Sequence, residues 1–262
     1  MRRATIPPGR GSATRVRWRG LGGRVGHGLR LHPATAVWGT FDEEVRPWTG
    51  TIQARYSDEF ADLDDGYGFM LETTGVHPAF FALATPWRDA AQFDSVMREL
   101  PHVSLVGVLL RDRDGGRVTV SRAGRPRIAY AVSPYDQRHV RRGVEAGARV
   151  LAAAGARRIW SMQTRYVPLE PANEAVERWM SRVDAVGYGP NRTLYATFHQ
   201  MGTCRMGADR RSAVTKPTGE TYAVRGLYVA DASLFPASSR VNPMITVAAL
   251  GHHVAQAMKE RL

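Results

Sequence analysis

The 262-residue chain contains little cysteine, little lysine and no long apolar run. Cys204 is the only cysteine, so an intrachain disulfide is excluded and a reducing, cytoplasmic location is favoured. Its spacing from the histidines matches no zinc pattern, and we therefore expect no metal site. No apolar stretch approaches the roughly 20 residues that cross a bilayer, so no transmembrane segment is expected. Peripheral membrane association is the alternative to a purely cytoplasmic protein.

The formal net charge of +12 is almost entirely arginine, because Lys216 and Lys259 are the only lysines. Such a skew is more typical of GC-rich codon usage than of a nucleic-acid surface. The sequence shows neither a basic–aromatic alternation nor a known binding module, and we expect no nucleic-acid partner.

Residues 1–20 carry many arginines and no acidic residue. A disordered leader or a mis-set start is favoured there over a basic binding arm.

The most informative stretch is Tyr195 to Leu262. Within it, the apolar run Leu227 to Ala230 predicts a buried strand. Asn242 and Pro243 predict the start of a helix, with asparagine as the cap and proline at the first helical position. A strand that leads to a helix N-terminus is suited to an electron-rich or anionic group. An ordinary strand–loop–helix packing unit is the alternative interpretation.

His199 lies just before this unit and changes its interpretation. Imidazole is the usual general base near neutral pH. Gly202 allows the chain to turn sharply behind it. A histidine in such a setting, taken alone, is more often a buried structural residue than a catalyst.

Three segments in order, HQMGTCRMG (199–207), AVTKPTGETYAVRGLYVADASLFP (213–236) and VNPMIT (241–246), carry a family resemblance. Together they resemble the C-terminal end of the glucose–methanol–choline (GMC) flavoprotein oxidoreductases. The likeness is greatest to the long-chain (fatty) alcohol oxidase or dehydrogenase branch. RPWTGTIQARYSDEF (46–60) and the segment 116–140 extend the resemblance through the chain.

The resemblance implies a reaction and a set of site residues. His199 corresponds to the family's base, which takes the hydroxyl proton of an alcohol while hydride leaves for FAD. Asn242 corresponds to the second site residue, which holds the substrate oxygen. An LHP element also occurs in the branch, so His32 is expected to be structural. The residues implied to approach FAD are Asp231, Ala232, Asn242, Pro243 and Met244.

One departure from the family bears on cofactor binding. A complete member opens with a strand, a GxGxxG turn and an acidic residue that together hold the dinucleotide. Gly20, Gly22 and Gly23 offer no such pattern. The resemblance therefore predicts a fragment that binds FAD poorly alone. Such a fragment is either inactive or active only with a separately encoded FAD-binding half. A truncated, non-catalytic binding or scaffold remnant is the alternative function.

The predicted fold is α/β with α+β character and without an N-terminal Rossmann βαβ unit. Residues 21–190 are expected to form a GMC-type substrate-binding domain, a mainly antiparallel sheet with helices on one side. Residues 191–262 are expected to be a C-terminal catalytic segment that belongs to the FAD-binding domain. A long helix is predicted from Tyr135 to Gly155, with proline at its first turn. Asp114-Gly115-Gly116 predicts a hairpin after the apolar strand Val103 to Leu110.

Overall fold

A computed structural model describes residues 23–261, and the predicted leader at residues 1–20 lies outside them. In chain order the strands are β1 (His27–Leu29), β2 (Ala34–Thr40), β3 (Tyr56–Ser57), β4 (Phe69–Glu72), β5 (Val103–Leu110), β6 (Gly116–Val120), β7 (Pro126–Ala129) and β8 (Arg158–Ser161). The main sheet has five antiparallel strands in the order β3-β4-β5-β2-β8. A smaller antiparallel sheet has the order β1-β6-β7. The helices are α1 (Pro78–Ala84), α2 (Ala90–Arg98), α3 (Pro134–Ala153), α4 (Val176–Val186) and α5 (Met244–Lys259).

Helices cover both faces of the main sheet, so the expectation of helices on one side is wrong. Successive side chains of a strand point to opposite faces, and both sets are apolar in β2 and β5. Val37 packs in one core with residues of α3 and α4. Its neighbour Trp38 packs in a second core with residues of α1 and α2. Each apolar face of the sheet has to be buried, and helices pack against both faces.

Helix α3 confirms the predicted long helix. Ser133 caps it, because its side chain accepts a hydrogen bond from the backbone N–H of Asp136, and Pro134 occupies the first turn. The helix can lie close against the sheet because Gly143 and Gly147 face Val108 and Val37. A β-carbon at Gly143 would overlap the Val108 side chain.

The predicted hairpin after β5 is wrong. Strand β6 pairs with β1 and β7, and the main sheet does not include it. The connecting segment is held by two buried carboxylates, so it does not fold into a tight turn. Asp136 accepts from the backbone N–H of Arg113, and Asp112 accepts from those of Leu31 and His32. These bonds redirect the chain away from β5.

The C-terminal segment departs from expectation at the predicted strand and at the start of its helix. The predicted strand Leu227 to Ala230 is wrong: Tyr228 makes an isolated bridge to Glu220, and Val229 donates to the Gly219 carbonyl. An apolar run becomes a strand only where neighbouring strands bond to its backbone groups, and among the described residues no strand pairs with this run.

Helix α5 ends at Lys259 as predicted but begins at Met244, with Pro243 at the cap position and no side-chain cap bond from Asn242. Val254 is the buried residue of this apolar helix. No helix of residues 23–261 is long and apolar enough to cross a membrane.

Candidate active site

A cavity of about 730 Å³ opens between the main sheet and the N-terminal turn of α5. Its walls are mostly apolar, and its polar side chains are few. A volume of this size is typical of sites for small organic ligands. The apolar side chains that line it include Phe80, Leu105, Leu109, Met162 and Val247. The polar ones include Gln53, Glu72, His199 and Asn242.

Most of the residues named from the sequence meet at this cavity. His199, Ala232, Asn242, Pro243 and Met244 all line it. Asp231 does not, and its exposed carboxylate has a local role. It caps a short 3-10 helix, Ala232–Leu234, by accepting a hydrogen bond of 2.8 Å from the Ser233 N–H. The carboxylate of Asp231 thus fixes the backbone conformation beside the cavity.

Backbone pairing sets the position of His199. Isolated antiparallel bridges join Arg30 to Met201 and Ala34 to Ala196, on either side of His199. The residues after it also run along the 3-10 helix, with Cys204 N–H donating to the Ser233 carbonyl and Met206 N–H to that of Leu234. The segment is therefore held from both sides. These bonds bring the His199 segment and the Ala232 segment to one place.

The same pairing places His32 directly opposite His199. The two Nδ1 atoms are 3.1 Å apart, and the ring centroids are 5.0 Å apart. His32 is fully buried, and burial lowers its pKa to about 3, reinforced by Arg111 and by His199 when that ring is protonated. Burial also lowers the pKa of His199. Both rings are therefore neutral at pH 7, and His199 is ready to accept a proton. His32 was expected to be structural because an LHP element occurs in the family branch that the chain resembles. The contact with His199 could not be read from the sequence, since the two residues are 167 positions apart.

Glu72 is a site residue that the sequence analysis missed. It ends β4, and its carboxyl lies in the cavity with Asn242 and Gln53. Burial is the largest influence and raises the pKa of this carboxyl, while interactions with the Asn242 and Gln53 side chains offset part of the rise. The local sequence feature that could have indicated this site residue is the acidic Glu72 directly after the apolar residues Phe69, Met70 and Leu71.

The N-terminal turn of α5 forms the open side of the cavity. Pro243 is buried, whereas Met244 and Ile245 are 79% and 78% exposed. Within residues 23–261, no side chain caps the first N–H groups of the helix, which carry partial positive charge. Met244 and Ile245 thus form an exposed apolar surface beside these N–H groups. Such a surface suits a flat ring system with an electron-rich edge.

Solved structures of two oxidases share the fold of this chain. The chain superposes on a pyridoxine 4-oxidase from Mesorbium loti with a TM-score of 0.61 at 18% identity, covering 90% of this chain and 44% of that one. It also superposes on a formate oxidase from Aspergillus oryzae RIB40, studied for its FAD modification, with a TM-score of 0.58 at 16% identity. That match covers 91% of this chain and 48% of the oxidase.

The sequence comparison identifies the family. The model of the GMC oxidoreductase family matches residues 112–251, and the chain belongs to that family. The long-chain-alcohol oxidase FAO4A of Arabidopsis thaliana is 30% identical over 241 residues, 87% of this chain and 32% of the relative. An uncharacterized GMC-type oxidoreductase, Rv0492c of Mycobacterium tuberculosis, is 32% identical over 92% of this chain and 37% of the relative. The chain thus spans about a third of the length of the curated relatives it matches.

Proposed function

We propose that the chain forms the substrate side of an FAD-dependent oxidoreductase that converts a primary, apolar alcohol to an aldehyde. The observation that carries this proposal is the convergence of His199 and Asn242 on one mostly apolar cavity. The similarity to proteins named long-chain-alcohol oxidases supports an alcohol with an apolar chain.

The chemistry assigned to this chain is proton transfer and orientation. His199, neutral because burial lowers its pKa, accepts the hydroxyl proton of the alcohol. Asn242 donates an amide hydrogen to the alcohol oxygen and stabilises the negative charge that develops there. FAD, when bound, takes up the hydride that leaves the alcohol carbon. The apolar walls hold the chain of the alcohol and exclude water from the proton transfer.

The residues around the open side of the cavity fit a flavin ring. Ala232, Pro243 and Met244 would lie against the ring, and the first N–H groups of α5 would face the electron-rich pyrimidine edge. Asp231 would contribute through its backbone position. This arrangement supports the division into a substrate-binding domain, residues 21–190, and a flavin-side segment, residues 191–262.

We further propose that a separately encoded FAD-binding half completes the site. The exposed apolar side chains of α5, among them Met244, Ile245 and Met258, are the surface it would cover. A helix that is apolar on most sides is normally buried on most sides. A non-catalytic binding protein is the second candidate, and the experiment below separates the two.

The test is flavin retention followed by alcohol-dependent bleaching. The full chain is incubated with FAD, alone and together with the N-terminal part of the Mycobacterium relative that precedes the matched region. Excess FAD is removed, and the visible spectrum is recorded before and after addition of a long primary alcohol. Retained flavin that bleaches with alcohol supports the proposal. Retained flavin that no primary alcohol bleaches, or no retention in either preparation, overturns it in favour of the non-catalytic protein.

The variant His199→Ala tests whether His199 is the general base of the proposed reaction. Removal of a general base lowers turnover by roughly a hundred- to ten-thousand-fold, so bleaching should slow by that factor. His102→Ala is the matched control, because this histidine hydrogen-bonds the Glu43 carbonyl and does not line the cavity. Equal rates in the two variants would remove His199 from the reaction.

A further inference from the structure

The pair His32–His199 has a feature that the proposed reaction does not by itself require. The Nδ1 atom of His199, 3.1 Å from Nδ1 of His32, is already within hydrogen-bond distance of a partner. Nε2 is therefore the ring nitrogen of His199 that is left for a ligand in the cavity. We infer that His32 is a positioning residue, which keeps a proton on Nδ1 of His199 and so leaves Nε2 free to accept the alcohol proton. This inference rests on the proposed function of His199.

The direction of the hydrogen bond follows from the protonated state of His199. After it accepts a proton, both of its ring nitrogens carry hydrogen, and Nδ1–H needs an acceptor. Nδ1 of His32 is the atom within reach, and it accepts as long as His32 stays neutral and carries its own hydrogen on Nε2. His32 has no exposed surface, so charging it is costly, and it acts as an acceptor rather than as the next proton carrier.

Two features of His32 are energetically unfavourable for the folded chain. Its Nε2 atom is buried and has no hydrogen-bond partner among the described residues. Its backbone lies in the left-handed region, with φ of +47°, which is uncommon for a residue other than glycine. Unpaired buried polar atoms and such conformations persist where the surroundings impose them, often at functional sites.

Two sets of contacts impose this conformation. The carboxylate of Asp112 is fully buried and accepts from the backbone N–H groups of Leu31 and His32, both at 3.1 Å. The bridges Arg30–Met201 and Ala34–Ala196 fix the register of the two segments. The His32 ring is thereby held against His199 rather than merely packed in a core.

Nuclear magnetic resonance of the full chain, labelled with ¹⁵N-histidine, tests the inference without flavin. We expect the ¹⁵N shifts of His199 to show hydrogen on Nδ1 and none on Nε2, with a coupling through the hydrogen bond to Nδ1 of His32. His32→Asn keeps an acceptor near this position and suits the left-handed backbone, so His199 should stay in the same form. His32→Leu removes the acceptor, and His199 should then exchange between its two forms. Hydrogen on Nε2 of His199 in the unaltered chain would overturn the inference.

Turnover of the reconstituted, flavin-loaded protein provides the second readout. His32→Leu should lower kcat about 10- to 100-fold, the usual worth of a hydrogen bond to a charged group, with a smaller change in KM. His32→Asn should restore most of the loss. His139→Leu is the matched control: His139 is also buried and has an unpaired Nδ1 within the described part of the chain, but it contacts Asp64 away from the cavity. The kcat of the His139→Leu variant and the ¹⁵N shifts of its His199 should equal those of the unaltered protein.

The two experiments separate the inference from the proposed function. A protein that oxidises no alcohol but shows hydrogen on Nδ1 of His199 would contradict the proposed function and leave the His32 contact established. A protein that oxidises alcohol with equal kcat in His32→Leu and His139→Leu would contradict the inference alone.

Discussion

Replacing Gly202 with alanine tests the close packing that holds the His199 segment in place. Gly202 has φ of +87°, and a β-carbon there would lie 2.5 Å from the Gly28 carbonyl oxygen and 3.4 Å from that of Phe235. Both oxygens belong to the backbone, so neither can rotate away. The chain must shift by several tenths of an ångström to accept the methyl group.

The expected loss of stability has two parts. The left-handed conformation costs a residue with a β-carbon about 1–2 kcal/mol. Displacement of Gly28 also strains the bonds on either side of it, from Gly26 to Thr203 and from Arg30 to Met201, each worth about 0.5–1.5 kcal/mol. Gly202→Ala should therefore lower the free energy of unfolding by about 2–4 kcal/mol.

Gly124 offers a matched control. Its φ of +77° is similar, but none of the described residues lies within 4 Å of the point that a β-carbon would occupy. Gly124→Ala should therefore cost only the conformational part, about 1–2 kcal/mol. Urea unfolding of the two variants, followed by circular dichroism at equal slope, measures the difference directly. Equal losses in the two variants would refute the argument that the His199 segment packs against the backbone of Gly28.

Two further predictions concern the cavity. Because burial raises the pKa of Glu72, the folded chain binds this proton more tightly than the unfolded chain, and stability falls as pH rises through the raised pKa. Glu72→Gln should therefore raise the urea midpoint at pH 8 and leave it unchanged at pH 4, since each unit of pKa difference is worth about 1.4 kcal/mol; an equal change at both pH values would contradict this reasoning. In the reconstituted protein, kcat/KM for primary alcohols from butanol to hexadecanol should rise about fourfold per methylene, the equivalent of about 0.8 kcal/mol, until the cavity is full. A flat series would show that the apolar walls do not hold the alcohol chain.

The features that were predicted correctly from the sequence have local signals. Ser133 and Pro134 cap helix α3 through atoms within three residues of each other, so their pattern is readable without the fold. His199 and Asn242 were found through a family motif, and the structure brings both to the same cavity. Their catalytic roles stay predictions.

The features that the sequence analysis missed depend on distant pairing. The opposition of His32 and His199 follows from two backbone bridges between segments more than 160 residues apart. The apolar run at Leu227 was predicted to be a buried strand from its composition, but Leu227 is 42% exposed and the run has no partner strand among the described residues. No local pattern states which segments will lie alongside each other.

The cavity also depends on the pairing of segments that are distant in sequence. This pairing bears on which alcohol the proposed reaction would accept. In the register of β2 and β5, Ala36 lies directly opposite Gly107, and Ala34 lies opposite Leu109. Trp38 and Leu105, the next pair on this face, are large, and Leu105 lines the cavity. The space exists because small residues of two strands coincide, and each strand read alone is simply apolar. In the proposed reaction, the motif around His199 would supply the base, while the small pair Ala36 and Gly107 would set the space for the alcohol chain. Relatives that share the motif but carry larger residues at either strand position should accept shorter alcohols.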